Sequence, residues 1–465
     1  MLSTSSILVL SLLLVFSISM SVTRQAKQNS ATREGVRLIT LAPGHFHASL
    51  VQKVMYPQVA PTVWVYAPAG PELDEHLKRV EAYNARATDP TNWHQQLYTG
   101  PDFFQRMLAE KPGNVVVIAG NNREKIDYIA GSLQAGLNVL ADKPMCIDAA
   151  GFEKLKASFE VAESKNVLLY DIMTERYEIT TMLQRALVND RAVFGRLLKG
   201  SVDEPAVTKE SVHHFFKYVS GKPLRRPAWF FDTAQQGEGI VDITTHLVDL
   251  IQWESFPEQS IALSDIKVLR ARRWATIVTR EQFAQVTGLK DFPDYLRIML
   301  NDKGALLDYA NGELSYTLKG VHAKVSVIWN FEAPAGTGDT HFSIMRGTKA
   351  NVIIRQGKEE NYRPELYVEA VGNTEPVALA AGLRKAVNKL QATYPGLDLQ
   401  SDGSRWRILI PDQHRTDHEA HFGQVMERFL TFLAVGKLPR WETPNTIAKY
   451  YTTIEALRLA QRSGQ

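Results

Sequence analysis

A chain of 465 residues with 45% hydrophobic and 22% charged residues is a globular protein, too long to pack around one ordinary core. Its net charge of +3 comes without any dense Lys/Arg run, which argues against a nucleic-acid partner. Cys146 is the only cysteine, so no intrachain disulfide exists and stability must come from burial, with Cys146 itself read as a small buried hydrophobe.

Residues 1–21 carry no charge, and an apolar run from Ile7 to Phe16 precedes Ser17-Ile18-Ser19 and Ser19-Met20-Ser21. Small residues two apart after a short apolar run are the pattern of a secretory signal and its cleavage site. The mature chain is therefore expected to be exported, periplasmic and free of stable membrane insertion. The missing basic segment leaves an uncleaved anchor as the alternative.

After a polar tether, Val36–Leu41 reads as a first buried strand, followed by Ala42-Pro43-Gly44-His45-Phe46-His47-Ala48 and an apolar helix around Leu50–Met55. Strand, tight turn and helix make an anion site of the kind that seats a dinucleotide pyrophosphate, although Gly44 alone remains of a three-glycine fingerprint. A second strand, Val63–Tyr66, ends in Tyr66-Ala67-Pro68 where an acidic residue commonly holds the ribose, so NAD and NADP are not distinguished.

Helices are expected at 72–84, 103–110, 124–135, 152–163 and 177–188, and strands at 115–119, 138–141 and 167–170. The alternation predicts a parallel sheet covered on both faces, with a first domain over 35–175. In the remainder, 176–465, alternating segments at 295–300, 306–309, 313–318, 323–329 and 351–355 predict an antiparallel sheet. Residues 359–412 are irregular and a candidate insertion, and 422–435 and 446–461 read as helices returning to a domain face.

Two motifs carry chemistry. Ala141-Asp142-Lys143-Pro144-Met145 follows a strand at the sheet's carboxyl end, where open α/β sheets bind ligands, and Lys143 is suited to exchange a proton there unless it merely pairs with Asp142 at the surface. In Gly237-Glu238-Gly239 through Trp253, the helical period separates an apolar stripe (Ile243, Leu247, Leu250, Ile251) from a polar one (Asp242, His246, Asp249, Trp253). Asp242 and His246 stand four apart, where a carboxylate can orient an imidazole.

The Gly44 turn, Ile118-Ala119-Gly120-Asn121-Asn122, the Ala135–Pro144 segment and Gly237–Asp249 together resemble the glucose-fructose oxidoreductase / inositol dehydrogenase family, Gfo/Idh/MocA, over about residues 35–355. The resemblance implies an N-terminal Rossmann domain that binds NAD or NADP. It also implies a C-terminal α/β domain with an open, mostly antiparallel sheet, and homo-oligomers formed through that sheet. Lys143 corresponds to the lysine of the family's Glu-Lys-Pro motif, with Asp142 in place of glutamate; Asp242 and His246 correspond to the acid/base and substrate-binding pair, and Asn122 lies near the cofactor.

The implied activity is oxidation of a secondary hydroxyl on a sugar or sugar derivative. His246 would act as base, Asp242 would orient it and Lys143 would stabilise the alkoxide, or Lys143 and His246 would exchange roles. Gly44, His45, Phe46, His47, Asn122 and Lys143 are the expected cofactor contacts; Lys143, Trp229, Asp242 and His246 the expected substrate contacts. The stretch His213-His214, Lys217 and Arg225–Asp232 combines aromatics and polar groups suited to a sugar. No metal is expected: His213-His214 lack a third ligand at metal spacing, and His45 and His47 read as cofactor-loop or packing residues. The alternatives are redox-neutral glycoside cleavage with tightly bound NAD, which suits a compartment without free cofactor, and a non-catalytic carbohydrate-binding relative.

Overall fold

The computed structural model describes residues 35–219, 222–335 and 337–463, so the expected leader at 1–21 lies outside the described residues. Six strands, β1 (Leu38–Leu41), β2 (Thr62–Tyr66), β3 (His94–Tyr98), β4 (Val115–Ile118), β5 (Asn138–Asp142) and β6 (Leu169–Ile172), form an all-parallel sheet in the order β3-β2-β1-β4-β5-β6. β1 and β4 are buried at every position, because both faces of a parallel sheet are covered and a strand with no solvent side must be apolar throughout. Helices Asn122–Gln134 and Ala149–Lys165 cover one face through Ile129, Leu133, Phe152 and Leu155.

The opposite face departs from expectation. The helix foreseen around Leu50–Met55 is a single turn, His47–Leu50. Phe422, Val425, Met426 and Phe429 of the C-terminal helix His418–Val435 lie over Leu38, Leu50, Val51 and Tyr56, taking the ground that a longer first helix would cover.

The second sheet has nine strands: β7 (Val207–Phe216), β10 (Ile266–Val278), β11 (Leu306–Leu318), β12 (Val321–Glu332), β13 (Thr340–Arg346), β14 (Ala350–Arg355), β15 (Glu365–Ala370), β16 (Asp398–Asp402) and β17 (Arg405–Leu409). Their order is β10-β11-β12-β7-β13-β14-β15-β17-β16, antiparallel except where β12 runs parallel to β7. A separate two-stranded ribbon pairs β8 (Tyr218–Val219) with β9 (Lys222–Pro223).

Two expectations fail here. The segment 295–300 forms a 3₁₀ turn, Asp294–Met299, rather than a strand: Pro293 starts it, and only Leu296 within it is buried. Residues 359–412 are not irregular, since β15, β17 and β16 extend the large sheet and Leu379 and Leu383 of helix Pro376–Leu390 enter the core.

A buried ion network ties the last helix, Glu442–Ser463, to the parallel sheet. Arg176 donates to Asp249 at 2.6 and 2.7 Å and to Glu442 at 2.9 Å, while Lys449 contacts Asp171 at 2.8 Å and Asp249 at 3.2 Å. Tyr450 donates to Asp171 at 2.9 Å and accepts from the amide of Met145 at 2.9 Å, next to the Lys143 loop. The second half of the chain thus closes onto the first through groups that water cannot screen.

Burial also sets an acid limit on stability. His76 and His421 are each 3% exposed, and burial lowers both to about 4 from the ordinary value near 6.5. A depressed histidine leaves the unfolded chain binding the extra proton between those two values, so stability falls as pH drops through that window. Each histidine is expected to cost about 2 kcal/mol between pH 7 and pH 5, and His76→Gln should flatten the fall in thermal midpoint measured across that range.

Candidate active site

Parallel register aligns Leu41 with Ile118 and Ile118 with Ala141. The turn 42–47, the segment 119–122 and Asp142-Lys143 therefore leave the carboxyl edge of the sheet side by side. They are close-fitted: a Cβ on Gly120 would fall 2.3 Å from the Ala42 carbonyl oxygen, and one on Gly44 would fall 3.3 Å from the Gly120 Cα. Gly120 is held to glycine by backbone, a constraint that the first glycine pattern did not show.

A cavity of about 830 Å³ opens at this edge, lined among others by His45, His47, Asn122, Lys143, Asp242 and His246. A smaller one of about 290 Å³ adjoins it, with Pro43, Gly44, Arg79, Arg225 and Trp229 in its wall. His45, Phe46, Arg226 and Phe230 line both. Trp229, expected against a substrate beside His246, borders only the smaller cavity, with its ring 3.4 Å from where a Gly44 Cβ would stand. Trp329 is the tryptophan in the wall of the larger cavity.

Lys143 and Asp242 meet across 99 residues of sequence, Nζ to Oδ1 at 2.7 Å, and both are buried. The surface pairing of Lys143 with Asp142 does not occur. Asp142 instead holds His47, Nδ1 to Oδ2 at 2.9 Å. The second Asp242 oxygen accepts from Gln236 at 2.9 Å.

The expected Asp242–His246 contact is absent among the described residues, and His246 Nδ1 is buried there without a partner. The backbone stays helical through Ile243, at φ −79° and ψ −32°, so spacing is not what keeps the two apart. Both Asp242 oxygens are engaged elsewhere, by Lys143 and by Gln236. The polar stripe divides, with Asp242 and His246 at the cavity and Asp249 turned into the buried ion network.

Burial, and then the charge of Lys143, hold the His246 imidazole well below its ordinary range, so it stays neutral and able to take a proton. His45 and His47 are lowered likewise, chiefly by burial. Asn122 is committed to structure: it donates to the Gln236 carbonyl at 2.7 Å and accepts from Lys125 at 2.7 Å, and Lys125 also donates to the Asp142 carbonyl at 2.9 Å. These bonds fix Asp142-Lys143 relative to the segment that precedes Asp242.

Three residues of the site escaped the sequence: Ser211 and Asp339, which join the expected His213 and Lys217, and Glu175. Ser211 Oγ lies 2.6 Å from His213 Nε2, and His213 Nδ1 lies 3.1 Å from Asp339, which also receives Lys217; all four residues line the larger cavity. Ser211 and His213 stand two apart on β7, so recognising that strand would have placed them on one face. Glu175, in the same wall, is raised to about 7 by burial and by Glu178. Its signal was a single acid in a polar turn, Thr174–Tyr177, indistinguishable from surface.

Residues 183–461 match the protein family described as "Putative oxidoreductase C terminal domain". A crystal structure of a "putative oxidoreductase from Parabacteroides merdae ATCC 43184" is 56% identical, with a TM-score of 0.90 over 92% of this chain and 98% of that one. The chain belongs to this oxidoreductase family, of Gfo/Idh/MocA type. Two distant structures share the fold: levoglucosan dehydrogenase in complex with NADH and levoglucosan, and GenD2 from gentamicin A biosynthesis in complex with NAD. The first is 13% identical with a TM-score of 0.59 over 92% of this chain and 98% of that chain. The second is 18% identical with a TM-score of 0.54 over 92% and 95%. No curated protein matches.

Proposed function

We propose that this oxidoreductase oxidises a secondary hydroxyl of a sugar or sugar derivative with NAD or NADP, in an exported, periplasmic and homo-oligomeric protein. The observation that carries the reading is the Lys143–Asp242 pair in one cavity with His246, whose Nδ1 has no partner among the described residues. The neighbours solved with NADH and NAD support the cofactor, and those solved with levoglucosan and with L-sorbose support a carbohydrate.

The residues fit such a cofactor. Gly44, His45, Phe46 and Trp229, with Arg79 and Arg225 for phosphate charge, would hold its adenosine half, and His47, Asn122 and Lys143 border the place for its nicotinamide. Bound there, the nicotinamide supplies a hydride acceptor. His246 would take the proton of the substrate hydroxyl. Lys143 steadies the developing alkoxide, and Asp242 keeps Lys143 aimed, rather than orienting His246.

Redox-neutral glycoside cleavage is a second reading with its own observation. It requires an acid for the departing glycosidic oxygen, and Glu175, raised to about 7, changes charge near neutrality in the cavity wall.

The two readings part in one experiment. Gently purified mature protein is expected to carry stoichiometric nucleotide by mass spectrometry and absorbance, and to reduce it with sugars. Turnover of aryl glycosides without added nucleotide, abolished by Glu175→Gln, would favour cleavage instead. Protein that neither carries nor binds nucleotide would sink both. Sequencing the mature N-terminus tests export, with a start near Met20 or Val22 expected.

A further inference from the structure

We propose that His45, His47 and Asp142 form a divalent transition-metal site at the carboxyl edge of the parallel sheet. Each offers one ligand atom, and the three atoms lie within 4.8 Å of one another. The set is assembled by the fold: β4 separates β1 from β5, yet register brings the turn after β1 beside Asp142, the last residue of β5.

The chemistry of the donors selects the ion. Two imidazoles and one carboxylate suit zinc and its first-row neighbours, whereas calcium and magnesium prefer oxygen alone. With ligand bonds of about 2.1 Å, neighbouring donors around a tetrahedral ion stand about 3.4 Å apart. His47 Nδ1 and Asp142 Oδ2 are 2.9 Å apart, so an ion would only have to part them slightly. The His45 ring centroid is 4.0 Å from that of His47, at 79°, so a modest turn of the ring completes the set. Among the described residues, the one hydrogen bond to the His45 ring comes from the His47 amide at a long 3.4 Å, which leaves the imidazole without a demanding structural task.

All three residues border the cavity that holds Lys143 and His246. Three protein ligands leave coordination positions open to that space, where hydroxyl or carbonyl oxygens of a polyhydroxylated substrate would bind. The proposal does not depend on the hydride-transfer reading, because the ion would bind whether or not a dinucleotide does.

The test uses tag-free full-length mature protein, stripped with chelator and titrated with Zn²⁺ and Co²⁺. Elemental analysis is expected to give one ion per chain, and Co²⁺ should show the visible absorption of mixed nitrogen and oxygen ligation. His45→Ala and Asp142→Asn should each weaken binding by roughly tenfold or more, while His213→Ala, in the other histidine cluster, should leave it unchanged. Absence of stoichiometric binding by the unmodified protein overturns the proposal whatever the variants do, and so does binding that survives His45→Ala in a folded variant. Nucleotide affinity measured on the same samples separates a failed metal site from a failed dinucleotide site.

Discussion

His246→Ala is expected to lower turnover by roughly a hundredfold or more while leaving nucleotide affinity little changed. The imidazole is half-buried at the cavity, its Nδ1 is buried with no partner among the described residues, and desolvation with the charge of Lys143 keeps it neutral. A neutral base with a depressed pKa stays competent as pH falls, so the acid limb of the kcat/KM profile should lie below pH 6.5, the ordinary histidine value. A limb at or above that value, or near-normal turnover in the variant, would remove His246 from the role. Asp242→Asn separates the two arrangements of the pair: if Asp242 serves Lys143, the variant loses rate without moving the His246 limb. The geometry favours that outcome, because both Asp242 oxygens are already engaged, by Lys143 and Gln236.

The largest effect on stability is expected at Asp249, away from the chemistry. Asp249→Ala would strand Arg176 and Lys449 in a region where Asp249 is 2% exposed and Lys449 fully buried. Removing one member of a buried ion network costs about 3–5 kcal/mol, mostly as the penalty of the charges left behind. Denaturant midpoints on the wild type and variant would measure it. Burial raises Glu442, while Arg176 and Lys449 pull Asp249 below the ordinary carboxylate range despite its own burial, so Asp249 is the charge on which the cations depend. A loss below about 1 kcal/mol would mean that Asp171 and Glu442 suffice to hold both cations.

Elements with local signatures were legible in the sequence. β1, β4 and β5 are short apolar runs between amphipathic helices, and doubly covered strands must read that way. The motif around Lys143 and the Gly-x-Gly segment before Asp242 were legible too, because each is a few residues long and their order along the chain carries the family resemblance. The polar strand β3, His94-Gln-Gln-Leu-Tyr, was not: an edge strand is held by backbone pairing with β2 and needs no apolar pattern. Nor were β15, β16 and β17, whose sheet partners lie up to 42 residues away in a segment broken by a helix.

What the sequence determined by itself was therefore the class of fold and the residue types of the site. Which partner each side chain meets was decided only by tertiary structure. Asp242 and His246 invited pairing by their spacing, yet a lysine 99 residues away and Gln236 claimed the two carboxylate oxygens. His45 and His47 offered two ligands at close spacing, and the third donor came from β5, which the chain reaches only after β2, β3 and β4. The hydrophobic pattern acts over one or two turns of chain and specifies which surfaces are buried. Contacts between buried polar groups depend on how those surfaces dock, and no local period encodes that.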